Sequence, residues 1–162
     1  MRKSREIREV VSEHRAWLAS KGVAGTQADF SAADLTEASL NEVDLTRALL
    51  ARADLTRAHL TRANLCGANL RGTNFSRADM TGVDLRGANL ARLDLSEANL
   101  SRANLIGTHL TQADLTGADV TGAKLYGTAR DDWVIDRVKC QYVFWDREGK
   151  ERTPRNRDFE AG

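Results

Sequence analysis

The feature that most restricts this chain is an apolar residue returning at every fifth position from Ala28 to about Gly127. The centres are Phe30, Leu35, Leu40 and so on without interruption to Leu115, Val120 and Leu125. Two places before each centre stands a small residue, usually Ala, and Asp or Asn commonly fills the place between, as in ADLTR at 53–57 and ANLRG at 68–72. A helix turns about 100° per residue, so centres five apart would precess around it and form no stripe. A flat strand would send them alternately to opposite faces. The period is satisfied if the backbone turns a corner every five residues, so that all centres enter one lumen and each segment stacks on the next. The small residue fits a narrow interior where a second large side chain would clash. The positions after the centre, rich in Thr, Ser, Arg, Glu and Gly, face outward.

This A-[DN]-L-x-x pattern resembles the pentapeptide-repeat family over residues 26 to 127, and HRAWLASKGVAGTQADF at 14–30 resembles the W-L-x-S-x-G lead into that family's first repeat. The resemblance implies an all-β solenoid: a right-handed quadrilateral β-helix of about five coils, four pentapeptides to a coil. The unusual inward residues Thr73 and Leu93 lie one such coil apart, and Val43 and Val83 lie two apart. The expected organisation is an N-terminal amphipathic capping helix at 1–25, the repeat at 26–127, and a C-terminal aromatic strand or hairpin cap at 128–162.

Residues 4–20 read as the helix, with Ile7, Val10, Val11, Trp17 and Leu18 on an apolar stripe, His14 between its halves, and Gly22 in the C-cap region. A lid over the first coil is weighed against a helix that meets a partner or a membrane surface. From 128 the composition turns aromatic. Val138, Cys140, Tyr142 and Phe144 alternate on one face of an expected strand at 138–145, Val143 and Trp145 on the other. A polar turn over Asp146–Lys150 containing Gly149 leads to a short return at 151–153, which Pro154 limits. Tyr142, Val143, Phe144 and Trp145 are therefore the candidate interface for a homodimer. The abrupt end at Phe159–Gly162 leaves room for a longer parent chain.

Charge excludes little. The 162 residues carry a net charge of +1, and the repeat holds ten basic and twelve acidic residues. Arg47, Arg52, Arg57 and Arg62 on successive pentapeptides would encircle the coils rather than line one groove, so they read as a solvated surface in preference to a phosphate-binding patch. Asp34, Asp54, Asn74, Asp94 and Asp114 would stack on one side, where Asp and Asn bond local backbone amides. His59 and His109 fall on different sides, Lys124 replaces an acid, and Leu49 is an exposed-looking exception. No catalytic, metal or cofactor signature is found, and none is expected. Cys66 and Cys140 lie far apart in the chain, and no apolar run is long enough to cross a bilayer, so a reducing cytoplasm without membrane contact is expected.

The expected function is a non-catalytic scaffold that presents rigid β-helix faces to an unidentified protein partner. The family resemblance also implies an alternative, inhibition or protection of DNA gyrase and topoisomerase IV by imitation of duplex DNA. Against it stand the near balance of charge on the repeat and the lack of an inserted loop. Nucleic acid as a direct partner ranks below both.

Overall fold

A left-handed kink in the backbone lays out the five-residue period. The second residue after each centre has φ close to +60°, as in Arg62 (57°) and Arg102 (60°), and Gly72 (69°) and Gly122 (73°) take the same place. A side chain is strained there and glycine is not, which explains why Gly alternates with Arg and Glu at this position. Each kink closes through the N–H of the next residue, as when Ala63 donates to the Leu60 carbonyl at 2.9 Å.

Four kinks return the chain over itself. In the computed structural model, which describes residues 2–146 and 152–153, nineteen isolated parallel bridges join residues twenty apart, among them Asp54↔Asn74 and Asp79↔Asn99. Leu65 donates its N–H to the Asp84 carbonyl at 2.8 Å, and Asp84 donates back to Ala63 at 3.0 Å. Successive walls repeat this exchange. The centres from Leu40 to Leu65 are wholly buried, as are Phe75, Met80 and Leu100, and most of the small residues beside them are too. One continuous apolar column results, and its removal from water is the main force holding the stack.

The expectation of an all-β quadrilateral β-helix is corrected. Among the described residues the regular elements are one helix, α1 (Arg2–Ala19), and two strands of two residues each, β1 (Val143–Phe144) and β2 (Arg152–Thr153), paired antiparallel. The repeat itself is turn and single bridge. The physical reason is the kink: a ladder needs consecutive extended residues, and a left-handed residue in every five stops it after one pair. The walls are therefore rows of turns rather than sheets. The scaffold of rigid β-helix faces, and the DNA-mimic alternative that needs the same faces, lose their structural basis and are set aside.

α1 lies across the first coil. Ile7 is buried, Val10 and Val11 pack on the core, and His14 is fully enclosed with its ring stacked 5.6 Å from Trp17. The Ala28 N–H donates to His14 Nδ1 at 3.0 Å, fixing the first repeat to the helix. Gly22 (φ 90°) donates to the Trp17 carbonyl at 2.8 Å and ends the helical run.

The bridge series does not stop at 127. Ala129, Val134, Lys139 and Phe144 continue it in the same register. The expected change at 128 is thus a change of composition and not of backbone. It also alters the predicted strand faces, because Cys140 and Val143 turn inward, at 5 % and 0 % exposure, while Tyr142 and Phe144 meet edge-on outside at 5.6 Å. Of the polar turn, residues 147–150 lie outside the described residues, as do Pro154 and Phe159.

Candidate functional site

Two places depart from the regular stack. The first is the C-terminal end, where the predicted interface residues fall. Val143 belongs to the core, whereas Tyr142, Phe144 and Trp145 are half-buried around β1. Arg130 occupies a centre position, where every earlier repeat has an apolar residue, and stays exposed. Its guanidinium lies 4.3 Å from the Trp145 ring centroid and 5.7 Å from that of Trp133. A cation held over aromatic faces closes the lumen with charge turned to water. Tyr126, on the wall that carries Phe144, is an exposed large apolar residue, and Val134 is another on the opposite wall. Burial drives the Cys140 thiol up to about 11, with Asp119 adding to the shift, so this cysteine is an inert core residue.

The second departure is a break in the ladder, on the wall built from the Leu50, Leu70, Leu90 and Leu110 pentapeptides. Asn69↔Asn89 is absent from an otherwise unbroken bridge series running from Asp29 to Phe144. Five hydrogen bonds that the repeat would place here are not made: Gly67 N–H to Arg86, Leu70 N–H to Asn89, Gly72 N–H to Ala91, Asn89 N–H to Ala68 and, past the next corner, Asp94 N–H to Thr73. The walls on either side keep their bridges, with Phe75 donating to Asp94 at 2.9 Å and Leu65 to Asp84 at 2.8 Å. The result is a slit of about 550 Å³ between the third and fourth coils.

An irregular pair of inward residues stands at the adjoining corner. The inward small position there is Ala53, Thr73, Leu93 and Ala113 in successive coils. Leu93 brings a full side chain, 3 % exposed, into a column sized for Ala, and it lines the slit. Overpacking of this kind is relieved by backbone shifts. Thr73 acts in the opposite direction, because its hydroxyl donates to the Leu50 carbonyl at 2.8 Å and ties its own coil to the preceding one.

The chemistry of this wall is distinctive. Its positions before the centre are Leu49, Asn69, Asn89 and His109, and no carboxylate stands on it between Asp29 and Asp131. On the other walls several arginines are matched, Arg57 with Glu37 and Arg62 with Glu42, both at 3.6 Å, Arg77 with Glu97 at 3.1 Å, and Arg86 with Asp84 at 2.7 Å, while Arg47 lies over the Trp17 ring. Arg71 makes no ion pair among the described residues, and Arg92 is steadied by the neutral Gln112, 2.8 Å from Nε. Asn69 and Asn89 spend Oδ1 on the Arg71 and Ala91 amides, at 3.3 and 3.0 Å, which leaves each Nδ2 a donor facing out. Reading arginines on successive pentapeptides missed this group; reading them twenty apart finds Arg52 and Arg92 on one wall, with Arg71 beside them.

On the side with Asp34, Asp54 and Asp94, the carboxylates do accept local amides, from Thr36, Thr56 and Ser96 at 2.9 Å each. Among the described residues no group of three or more His, Cys, Asp or Glu is placed to hold a metal ion, and no helix is long and apolar enough to cross a membrane.

A backbone that returns every twenty residues, with each pentapeptide offering a small inward residue, Asp or Asn, and an apolar centre, defines a structural repeat protein rather than a catalytic one. The chain belongs to the pentapeptide repeat family, whose profile matches residues 28–64, 58–92 and 94–128 in eight copies. It is similar to HetL, a pentapeptide repeat protein involved in heterocyst differentiation regulation in the cyanobacterium Nostoc sp. strain PCC 7120. Identity is 29 %, over 81 % of this chain and 70 % of that one, with a TM-score of 0.39. It is also similar to trypsin-treated QnrB1, a plasmid-mediated fluoroquinolone resistance protein, at 17 % identity over 74 % and 66 % of the two chains (TM-score 0.48). A thylakoid-lumen pentapeptide repeat protein of Arabidopsis thaliana shares 30 % identity over 59 % of each chain (TM-score 0.33). The chain thus spans less than two thirds of the length of the last two. No curated protein matches it.

Proposed function

We propose that the protein works by binding protein, and that its partner is a second copy of itself joined through the C-terminal coil. The observation that carries this reading is the half-buried aromatic end: Tyr142, Phe144 and Trp145 around β1, with Tyr126 exposed on the same wall. Aromatic side chains bring large contact area to an interface at low entropic cost. A two-fold pairing covers this end once and stops, whereas a head-to-tail contact would grow into a fibre. α1 already occupies the opposite end, which favours closure. A reducing cytoplasmic setting is part of the proposal, supported by the two free thiols, Cys66 and Cys140.

Light scattering over a concentration series tests it, on the intact chain and on Trp145→Glu and Tyr126→Ser. The expected result is a dimer that both substitutions weaken. A monomer at every concentration overturns the reading, and so does a dimer indifferent to both changes.

A further inference from the structure

We propose that the slit between the third and fourth coils is a binding site for a hydroxyl-bearing phosphate monoester. Its donors converge from both rims. By the geometry of the repeat, the Leu70 and Gly72 N–H groups face the later coil and the Asn89 N–H faces the earlier one, and none of the three finds its backbone partner. The Nδ2 groups of Asn69 and Asn89 and the guanidiniums of Arg71 and Arg92 stand at the mouth. Backbone N–H groups left unpaired inside a fold take water or a ligand. Donors this numerous, with two arginines and no carboxylate among them, select an oxyanion.

Two features refine the class. Phosphate presents more acceptor oxygens, in more directions, than a carboxylate, and so can engage both rims at once. The Ala68, Asn89 and Ala91 carbonyls also face the slit without partners, and they need donors that a fully ionised anion lacks. Hydroxyls on the organic part of the ligand supply them. The volume of about 550 Å³ falls within the range of small-molecule sites and exceeds the needs of a bare ion. A nucleic-acid strand would call for matched cations along the whole wall, yet the wall runs to Asp131 and Asp132 at its far end. Leu93 is the residue that creates the site, since an Ala there restores the common size and lets the ladder close.

The test is a titration of the intact chain followed by amide chemical shifts, with glycerol 3-phosphate, inorganic phosphate and glycerate as probes. Glycerol 3-phosphate is expected to saturate, with shifts concentrated at Leu70, Gly72 and Asn89. Inorganic phosphate is expected to bind about tenfold more weakly or worse, and glycerate more weakly still. Arg71→Gln and Arg92→Gln, both on exposed side chains, should each weaken binding about tenfold, and Arg57→Gln should not. Leu93→Ala should remove binding while the chain remains folded. Failure to saturate by about 10 mM overturns the proposal. Equal binding of glycerate or of inorganic phosphate overturns the ligand class, and unchanged binding in the double variant of Arg71 and Arg92 overturns the site.

Discussion

Replacing Leu93 by Ala is expected to leave the protein as stable as before or slightly more so, an outcome unlike that of any neighbouring core leucine. Leu93 is 3 % exposed, and deleting its three outer carbons loses about 2.4 kcal/mol of burial at ~0.8 kcal/mol per methylene. In an ordinary core a residual cavity would add to that loss and bring it to about 3–5 kcal/mol. Here the space can collapse, because the coils on either side of the slit are spread by the side chain being removed. Closure restores five backbone hydrogen bonds, at Gly67, Leu70, Gly72, Asn89 and Asp94, worth ~1 kcal/mol each net of water. The two contributions leave a gain of roughly 2–3 kcal/mol, from which the strain of packing the smaller side chain is subtracted. Leu95→Ala, two residues away and wholly buried in a closed part of the stack, has no such compensation and should cost about 3 kcal/mol or more. Urea unfolding followed by circular dichroism separates the two through their midpoints, provided the slopes agree. A Leu93→Ala variant destabilised as much as Leu95→Ala would refute the wedge, and with it the account of why the ladder opens.

Two further outcomes concern the N-terminal end. The His14 ring accepts the Ala28 N–H at Nδ1, and its pKa is lowered by burial against smaller raising effects from Thr46 and Asp44. Below about pH 6.5 the unfolded chain takes up a proton that the folded chain refuses, so stability should fall as pH drops through that value and level off below the folded pKa; urea midpoints between roughly pH 8 and 5 should decline for the native chain and stay flat for His14→Gln. Gly25 (φ 75°) should not tolerate Ala, because the new Cβ would collide with the Glu13 carbonyl oxygen and stand 2.7 Å from the Trp17 nitrogen; a thermal midpoint lowered by several degrees is expected, corresponding to a cost of more than about 2 kcal/mol.

What the sequence made legible was spacing. Centres five apart, with small residues two before them, sufficed to place Leu65 inside and Arg62 outside, and Thr73 and Leu93 stood out as irregular one coil apart. What those two residues do was not legible. A Leu at an Ala position is equally consistent with a tighter core, and only the structure sets it beside an open stretch of the ladder. The lack of strands within the repeat was hidden for a related reason: a repeat that stacks suggests sheets, while the kink at Arg62 or Gly72 is a dihedral angle that Arg and Gly share without any common sequence mark. The sequence pattern fades near 127, as the family profile does at 128, because Arg130 and the residues around it break the motif, yet the bridges run on. The backbone bonds of Ala129, Val134 and Lys139 hold the register regardless, since those bonds do not depend on the side chain. Grouping arginines by neighbouring pentapeptides rather than by coil likewise obscured the wall shared by Arg52, Arg71 and Arg92.

A chain stacked on itself every twenty residues, with one opening among the described residues, is tested most directly by residue-by-residue amide exchange. The account predicts slow exchange at the centres and at the residues before them, such as Leu65, Asp84, Leu100 and Asp119, whose N–H groups donate between coils at 2.7–3.0 Å. It predicts fast exchange at Leu70, Gly72 and Asn89, flanked on both sides by protected coils. Protection confined to α1 would contradict the stack, and slow exchange at Leu70 and Asn89 equal to that of Leu65 and Asp84 would contradict the opening.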